Sequence, residues 1–201
     1  MNNYPEYVEI EGKKYKINTD FRYAIECNRI AEDENIGDYE RALAVIYTLF
    51  GDEGINTPDH YEKLLKLGLK YLSCGKEEDV HITPQEKDMD YIQDMDYIEA
   101  SFMSDYHIDL SGMEMHWWKF MNLMNGLSNS DMGNCCVLNR IRNIRNYDVS
   151  EIKDPKERRK ILDAQELVAL KKKDKKIEMT DEQKRSVDEF YKKINLEGMW
   201  K

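Results

Sequence analysis

Histidines are the residues of this sequence whose type best suits acid–base or metal chemistry. The four are His60, His81, His107 and His116. No pair of them has the H-E-x-x-H spacing or another spacing typical of metal ligands. His116 with Asp109 could imitate a general base and the carboxylate that orients it, but no nucleophile is placed beside them. We therefore interpret the histidines as structural residues and expect no catalytic site.

The motifs of nucleophilic catalysis and of phosphate binding are also absent from the sequence. It contains no G-x-S-x-G and no G-x-G-x-x-G, and its four cysteines show no C-x-x-C spacing. Acid-rich stretches at residues 32–35 and 88–94 lack the ligand order and the glycine of a calcium loop, which favours a solvated surface. These patterns predict a protein that is not an enzyme, has reduced thiols, and binds no cofactor or metal ion.

Charge is distributed unevenly along the chain. Residues 1–134 hold 12 Lys and Arg against 27 Asp and Glu, a net charge of −15, whereas residues 135–201 hold 18 against 13, a net charge of +5. An acidic body disfavours nucleic acid, because attraction to phosphate is the main sequence-independent part of that affinity. The lysine run at 171–176 has no interleaved aromatic residues, so we interpret it as the solvated end of a helix. The basic end could attract an acidic partner or the acidic half of this same chain.

Length and hydropathy predict one compact, water-soluble unit. The chain has 201 residues, of which 41% are hydrophobic, enough for one substantial core. No apolar run approaches the roughly 18 residues of a membrane span, and the first residues do not resemble a secretory signal. We therefore expect a cytosolic protein that does not associate with membranes.

The elements that position these residues are mostly helical. Alternating apolar residues on either side of Gly12 predict a short N-terminal β-hairpin, and helical spacing follows from Asp20 onwards. Gly51 is the expected end of a helix over 39–50. Helix starts are predicted at Thr57, Thr83, Asp154 and Thr180 from their capping patterns. The fold class is mainly α: a helical bundle-like domain with a short N-terminal β-hairpin.

A central helical pair follows from two apolar stripes. Residues 91–106 place Tyr91, Phe102 and three other apolar side chains on one helix face, and residues 117–127 form a second stripe. We expect the two helices to pack antiparallel, with Trp117 in the core and Phe102 close to it. The predicted division is a hairpin with helices over 1–78, and the central pair with basic C-terminal helices over 79–201, packed together as one unit.

Trp118 lies outside the second stripe. Helical geometry rotates it about 60° beyond Met121, towards Asn122 and Asn125. One interpretation is that Trp118 packs on a second neighbouring element of the same chain. The other is that it anchors a partner protein, as tryptophan often does at the centre of an interface. The sequence leaves both interpretations open.

The stretch from Asp96 to Leu127, "DYIEASFMSDYHIDLSGMEMHWWKFMNLMNGL", followed by "IRNYDVSEIKDPKERR" from Ile144 to Arg159, resembles the bacteriophage gene-product-15 family. Proteins of this family are tail-region proteins of long-tailed phages, encoded beside the tape-measure protein. The resemblance is specific over about 88–163, weaker over the N-terminal third and absent over the lysine-rich C-terminal end.

The resemblance implies a tail assembly chaperone that acts in the bacterial host cytoplasm. Its expected partner is the tape-measure protein, with the tail tube protein and a second copy of this chain as further candidates. Our hypothesis for the partner-binding residues is a set of five: Trp118, Met115, His116, Tyr97 and Met103.

Two other functions remain open. A structural minor tail component retained in the virion would also lack catalytic motifs. A small regulator that binds nucleic acid through the basic end is the third reading. Eleven methionines and an acidic surface suit a chaperone, because methionine offers deformable apolar surface and charge maintains solubility.

Overall fold

A computed structural model describes residues 4–76, 87–129 and 135–171 of the chain. The described residues form two strands, seven α-helices and a 3₁₀ turn at Pro58–His60, which confirms the mainly α prediction. The elements in chain order are β1 Tyr7–Ile10, β2 Lys13–Lys16, α1 Phe21–Ala31, α2 Asp38–Ile55, α3 Tyr61–Leu72, α4 Met95–Tyr106, α5 Trp117–Asn125, α6 Val137–Arg145 and α7 Pro155–Val168.

The predicted hairpin is present and is antiparallel. Its two-residue turn consists of Glu11 and Gly12, whose φ angles of 52° and 81° are both positive. Positive φ at both positions is the mark of the tight turns that match the natural twist of a hairpin. One face of the hairpin is buried through Ile10 and Tyr15, and Ile17 continues that face beyond β2. The hairpin therefore seals one side of the helical core.

The first helices follow the predicted pattern with two differences. The carboxylate of Asp20 accepts a hydrogen bond from the backbone N–H of Arg22 and caps α1. Gly51 breaks the backbone, with a φ of 62° and a ψ of −155°, but α2 continues to Ile55 as a kinked helix. The helix start predicted at Thr57 is confirmed, because Thr57 directly precedes the 3₁₀ turn that leads into α3, but its hydroxyl donates to the carbonyl of Glu53 and does not cap that turn.

The start of the fourth helix lies later than predicted. Tyr91 belongs to a turn, and α4 begins only at Met95. The carboxylate of Asp90 accepts hydrogen bonds from the backbone N–H groups of Ile92 and Gln93 at 2.9 and 3.0 Å. A side chain that bonds to the backbone two or three residues ahead favours a turn over a continuing helix.

Asp90 is held as a carboxylate by these contacts. Burial is the largest single influence on its pKa and raises it, but the hydrogen bonds from Gln93, Lys87 and Ile92 together outweigh burial and lower the pKa below its ordinary value of 3.8. The ammonium group of Lys87 lies 2.9 Å from Asp90 and also binds Glu32, which follows the end of α1. This network joins the segment before α4 to the first helices.

The expected antiparallel pairing of the central helices is not observed. α5 packs on α1, and α4 packs on α6. The contacts between α4 and α5 advance in the same direction along both helices. Phe102 stacks on Phe120 at 5.3 Å, and further along each helix the hydroxyl of Tyr106 donates to the carbonyl of Leu123. Phe102 thus lies close to α5 as predicted, but the two helices touch there without packing side by side along their length.

The described part of the basic segment is joined to the acidic body by ion pairs. Arg145 forms two 2.7 Å contacts with the carboxylate of Asp94, which is 1% exposed, and Arg142 pairs with Asp88. The predicted cap at Asp154 is confirmed, because its carboxylate accepts from the N–H of Lys156 at the start of α7. The helix starts predicted at Thr83 and Thr180 lie outside the described residues.

One aromatic stack joins the two sides of the proposed division near residue 78. The ring of Phe120 lies parallel to that of Phe21 at 4.6 Å and also stacks on Phe102 and Trp117. By its internal contacts the chain divides into two units, residues 1–171 and residues 172–201. All of the described helices and strands belong to the first unit. The elements on both sides of residue 78 therefore share one core.

All four cysteines are free thiols. Burial is the main cause that raises the pKa of Cys27 to about 12. Within the described ranges, no helix combines the length and the apolar character that a membrane span requires. The same ranges contain no group of three or more His, Cys, Asp or Glu side chains that could hold a metal ion.

Candidate partner-binding surface

The adjacent tryptophans bind adjacent carbonyl groups at the end of α3. The indole N–H of Trp117 donates to the carbonyl of Leu72 at 2.9 Å, and that of Trp118 donates to the carbonyl of Tyr71 at 2.8 Å. The last four carbonyls of a helix have no partner within the helix. That of Tyr71 also accepts from the backbone N–H of Cys74 at 3.0 Å, so Trp118 supplies a second donor to it. The start of α5 therefore caps the end of α3 with two neighbouring side chains.

His116 fixes the point at which α5 begins. Its Nδ1 accepts a hydrogen bond from the backbone N–H of Trp118 at 3.0 Å, and its Nε2 lies 3.1 Å from the carbonyl of Pro5. A carbonyl can only accept, so Nε2 carries the proton. The lone pair of Nδ1 then accepts from Trp118, which identifies the tautomer of the ring. His116 thus acts as the N-cap of α5 and ties it to the N-terminal segment.

Backbone bonds hold the same junction against α1. The N–H of Trp117 donates to the carbonyl of Thr19 at 2.7 Å, and the N–H of Phe21 donates to the carbonyl of Met115 at 2.9 Å. The carboxylate of Asp20 accepts from the N–H of Met115. Because both α1 and α5 begin here, their first turns are locked together and the direction of both indole rings is set.

Trp118 belongs to an aromatic cluster at the surface. Its ring stacks on Tyr71 at 6.1 Å and meets the edge of Tyr4 at 6.4 Å, and Tyr4 stacks on His116 at 4.9 Å. Tyr71 is buried, whereas the other three rings are half-buried. Gly75 has a φ of 74°, and a Cβ atom there would lie 3.2 Å from the indole of Trp118. The absence of a side chain at Gly75 lets the ring lie flat against the end of α3.

A pocket of about 210 Å³ opens beside this cluster, and we call it the Trp118 pocket. Apolar side chains of the hairpin, α3 and α5 supply nearly all of its wall. The described residues that line it are Pro5, Val8, Ile17, Leu67, Lys70, Tyr71, Gly75 and Trp118. Its volume suits one large side chain, and its shape and lining are those of a pre-formed apolar site.

The charge around the pocket differs from that of the rest of the acidic body. Residues 58–76 hold four lysines against two carboxylates, whereas residues 19–57 hold three basic residues against nine acidic ones. Lys70 is the one charged residue among the described lining residues, and no carboxylate lines the wall. Lys66 lies one turn earlier on α3, and both lysines are exposed. The pocket therefore combines an apolar wall with a positive rim.

The five residues predicted to bind a partner do not form one site. Trp118 lines the pocket and His116 stands behind it, but Met115 is 3% exposed and belongs to the core. Tyr97 and Met103 lie on α4, which packs against α6, and only Met103 is strongly exposed. The interpretation that Trp118 packs on a second element of its own chain is confirmed by its contacts with α3. Its role as a partner anchor stays a prediction.

The suggested pairing of His116 with Asp109 does not occur. Both ring nitrogens of His116 are engaged by backbone groups, and the carboxylate of Asp109 binds the backbone N–H and the hydroxyl of Ser111. These contacts lower the pKa of Asp109, with the hydrogen bonds from Ser111 as the main cause. His116 therefore caps α5, and Asp109 stabilises the turn that contains Ser111.

Sequence reasoning missed most of the pocket wall. Val8, Leu67 and Tyr71 show only the ordinary spacing of core residues, and they lie 47 or more positions before Trp118. The one local signal was the displacement of Trp118 from the apolar stripe of α5.

Comparison with known proteins places the chain in a family. The model that matches is described as "Bacteriophage Gp15 protein", and the match covers residues 1–170, which include every described element. No match was found among curated proteins or among solved structures. The chain belongs to the bacteriophage Gp15 protein family.

Proposed function

We propose that this protein is a phage tail assembly chaperone that binds the tape-measure protein in the host cytoplasm before the tail tube covers it. The observation that carries the proposal is the Trp118 pocket, a pre-formed apolar site on an otherwise acidic surface. Membership of a bacteriophage family supports the phage context.

A chaperone for a long helical protein needs apolar sites that receive its exposed side chains and a charged exterior that keeps the complex in solution. The pocket supplies the first requirement, because apolar surface that is removed from water stabilises a complex by about 25 cal/mol per Å². The acidic residues of the body supply the second. Met103 and Met113 are 46% and 39% exposed, and they add deformable apolar surface elsewhere on the protein.

The proposed role is binding and not catalysis. The two indole N–H groups, His116 and Asp109 each hold a backbone group of the fold. The tail tube protein and a second copy of this chain are further proposed partners.

The test is co-expression of the tape-measure protein of the same phage with this chain, with an empty vector, and with an unrelated acidic protein of similar size. We expect the soluble fraction of the tape-measure protein to rise only with this chain, and both proteins to elute together from an affinity column. Equal solubility in all three strains, with no co-elution, would refute the proposal.

Mass spectrometry of purified phage particles then separates a chaperone from a structural tail component. A chaperone leaves after assembly, so its peptides should be absent from intact virions while those of the tape-measure protein are abundant. A constant ratio of this chain to the tape-measure protein in virions would instead identify it as a minor tail component.

A further inference from the structure

We propose that the Trp118 pocket receives one large apolar side chain from an amphipathic segment of the tape-measure protein, and that Lys70 pairs with an acidic residue beside it in that segment. The proposal rests on the function proposed above and specifies the chemistry of the segment that is bound.

The direction of insertion follows from the hydrogen bond of Trp118. Its indole N–H already binds the carbonyl of Tyr71, and its ring lies against Tyr71 and Gly75. To enter a partner, the ring would have to give up this bond and its contacts with Tyr71 and Gly75, while the carbonyl of Tyr71 would keep only the backbone N–H of Cys74 as a donor. Trp118 therefore stays in place as one wall, and the partner supplies the side chain that enters.

The size and lining of the pocket select the class of side chain. Val8, Leu67 and Trp118 present apolar surface around about 210 Å³, and no carboxylate is present among the described lining residues. A polar side chain would lose its water contacts there without gaining a partner, which disfavours its entry. Leucine, methionine and phenylalanine are both apolar and large enough to fill the pocket.

The charge of the rim selects the neighbour of that side chain. Lys70 lines the pocket and is exposed, and no ion pair joins its ammonium group to any part of the chain that the structure describes. Two other lysines of the N-terminal elements are already engaged: Lys63 pairs with Glu11, and Lys13 lies 3.9 Å from Glu53. An acidic residue within one helical turn of the inserted side chain would meet Lys70, and complementary charge at a rim raises the association rate and rejects basic segments.

The experiment uses the full-length chain and overlapping peptides that cover the tape-measure protein of the same phage. Val8→Phe fills the pocket, Lys70→Glu reverses its rim charge, and Lys66→Glu makes the same charge change one turn away, outside the lining. Thermal melting of each variant is measured first. If Val8→Phe does not fold, Leu67→Phe is used to fill the pocket from the side of α3.

We expect one or a few peptides, each with an acidic residue near a large apolar one, to bind the parent protein. Val8→Phe should weaken that binding by about 30-fold, the loss expected for an interface hot spot. Lys70→Glu should weaken it by about tenfold, whereas Lys66→Glu should leave it within about threefold. A peptide in which the acidic residue is replaced by lysine should recover affinity for the Lys70→Glu protein.

A photo-reactive benzoylphenylalanine at position 70 identifies what occupies the pocket. Cross-links to the bound peptide, and to the same segment in the co-expressed tape-measure protein, support the proposal. Cross-links only to a second copy of this chain, or only to its own residues 172–201, overturn it. Capture of the tape-measure protein with equal affinity by all variants also overturns the pocket proposal but leaves the proposed function intact. Failure of the parent chain to bind the tape-measure protein at all overturns both.

Discussion

Replacing each tryptophan of the pair with phenylalanine tests the capping arrangement directly. Each change removes one indole N–H and keeps an aromatic ring. The two bonds are alike in length, 2.9 Å for Trp117 and 2.8 Å for Trp118, and their acceptors are consecutive carbonyls of α3. The side chains differ in burial, because Trp117 is 2% exposed whereas Trp118 lines an open pocket. We expect Trp117→Phe to be much the more destabilising of the two.

The magnitudes follow from what replaces each donor. Trp117→Phe leaves the carbonyl of Leu72 without a partner inside the core, at about 1–3 kcal/mol. The smaller ring also leaves a gap that costs about 1 kcal/mol, for a total near 3 kcal/mol. After Trp118→Phe, water can enter the pocket and bind the carbonyl of Tyr71, so only the net value of one hydrogen bond is lost, about 1 kcal/mol. For a chain of this size, Tm should fall by about 6–12 °C and about 2–4 °C respectively.

The measurement is urea denaturation of both variants and the parent, followed by circular dichroism, with thermal melting as a second probe. An unchanged dependence of the free energy of unfolding on urea concentration would confirm that the variants expose the same surface on unfolding. Equal losses in the two variants, or a larger loss for Trp118→Phe, would refute the assignment of Trp117 to the core and Trp118 to a hydrated rim.

Three further perturbations address the contacts that hold this scaffold. Arg145→Met leaves the buried carboxylate of Asp94 unpaired and should cost about 3–5 kcal/mol in urea denaturation, whereas the double change with Asp94→Leu should recover most of that loss. Asp90 has a lowered pKa in the folded chain, so its stabilising effect is complete above its ordinary value of 3.8 and is lost as pH falls through the folded value; the stability gap between the parent and Asp90→Asn should therefore shrink between pH 6 and pH 2, and a constant gap would contradict this. His116→Ala should cost about 1 kcal/mol through loss of the α5 cap, and His116→Asn should recover much of it because asparagine is a good N-cap, so equal losses in both variants would argue against capping.

The sequence was informative where the signal is local. The periodic spacing within 117–127 correctly places Trp117 in the core and Trp118 off the apolar stripe, because a helix of known pitch fixes which residues share a face. Capping at Asp154 and the hairpin around Gly12 depend on neighbours two or three positions apart, and both predictions are confirmed.

The predictions fail where the local sequence is compatible with more than one structure. Tyr91 fits the helical stripe, but the carboxylate of Asp90 binds the backbone ahead of it and produces a turn. The apolar stripes of α4 and α5 do not specify which helix each of them packs against. Ser101, a small buried residue on α4, accepts a hydrogen bond from the N–H of Leu138 at 2.9 Å and so brings α6 alongside. An apolar pattern identifies a buried face but does not identify the element that buries it.

The pocket shows why its site could not be derived from spacing. Val8, Leu67 and Trp118 come from three elements that are distant in sequence, and they meet because two indole N–H groups of α5 donate to carbonyls at the end of α3. The two interpretations of Trp118 are therefore compatible. The bond to Tyr71 fixes the ring during folding, so a partner would meet a wall that is already ordered. Binding to a pre-organised wall avoids the loss of about 0.5–1.5 kcal/mol that ordering a mobile side chain would cost. A residue selected to complete a helix end is in this way also suited to recognise another chain.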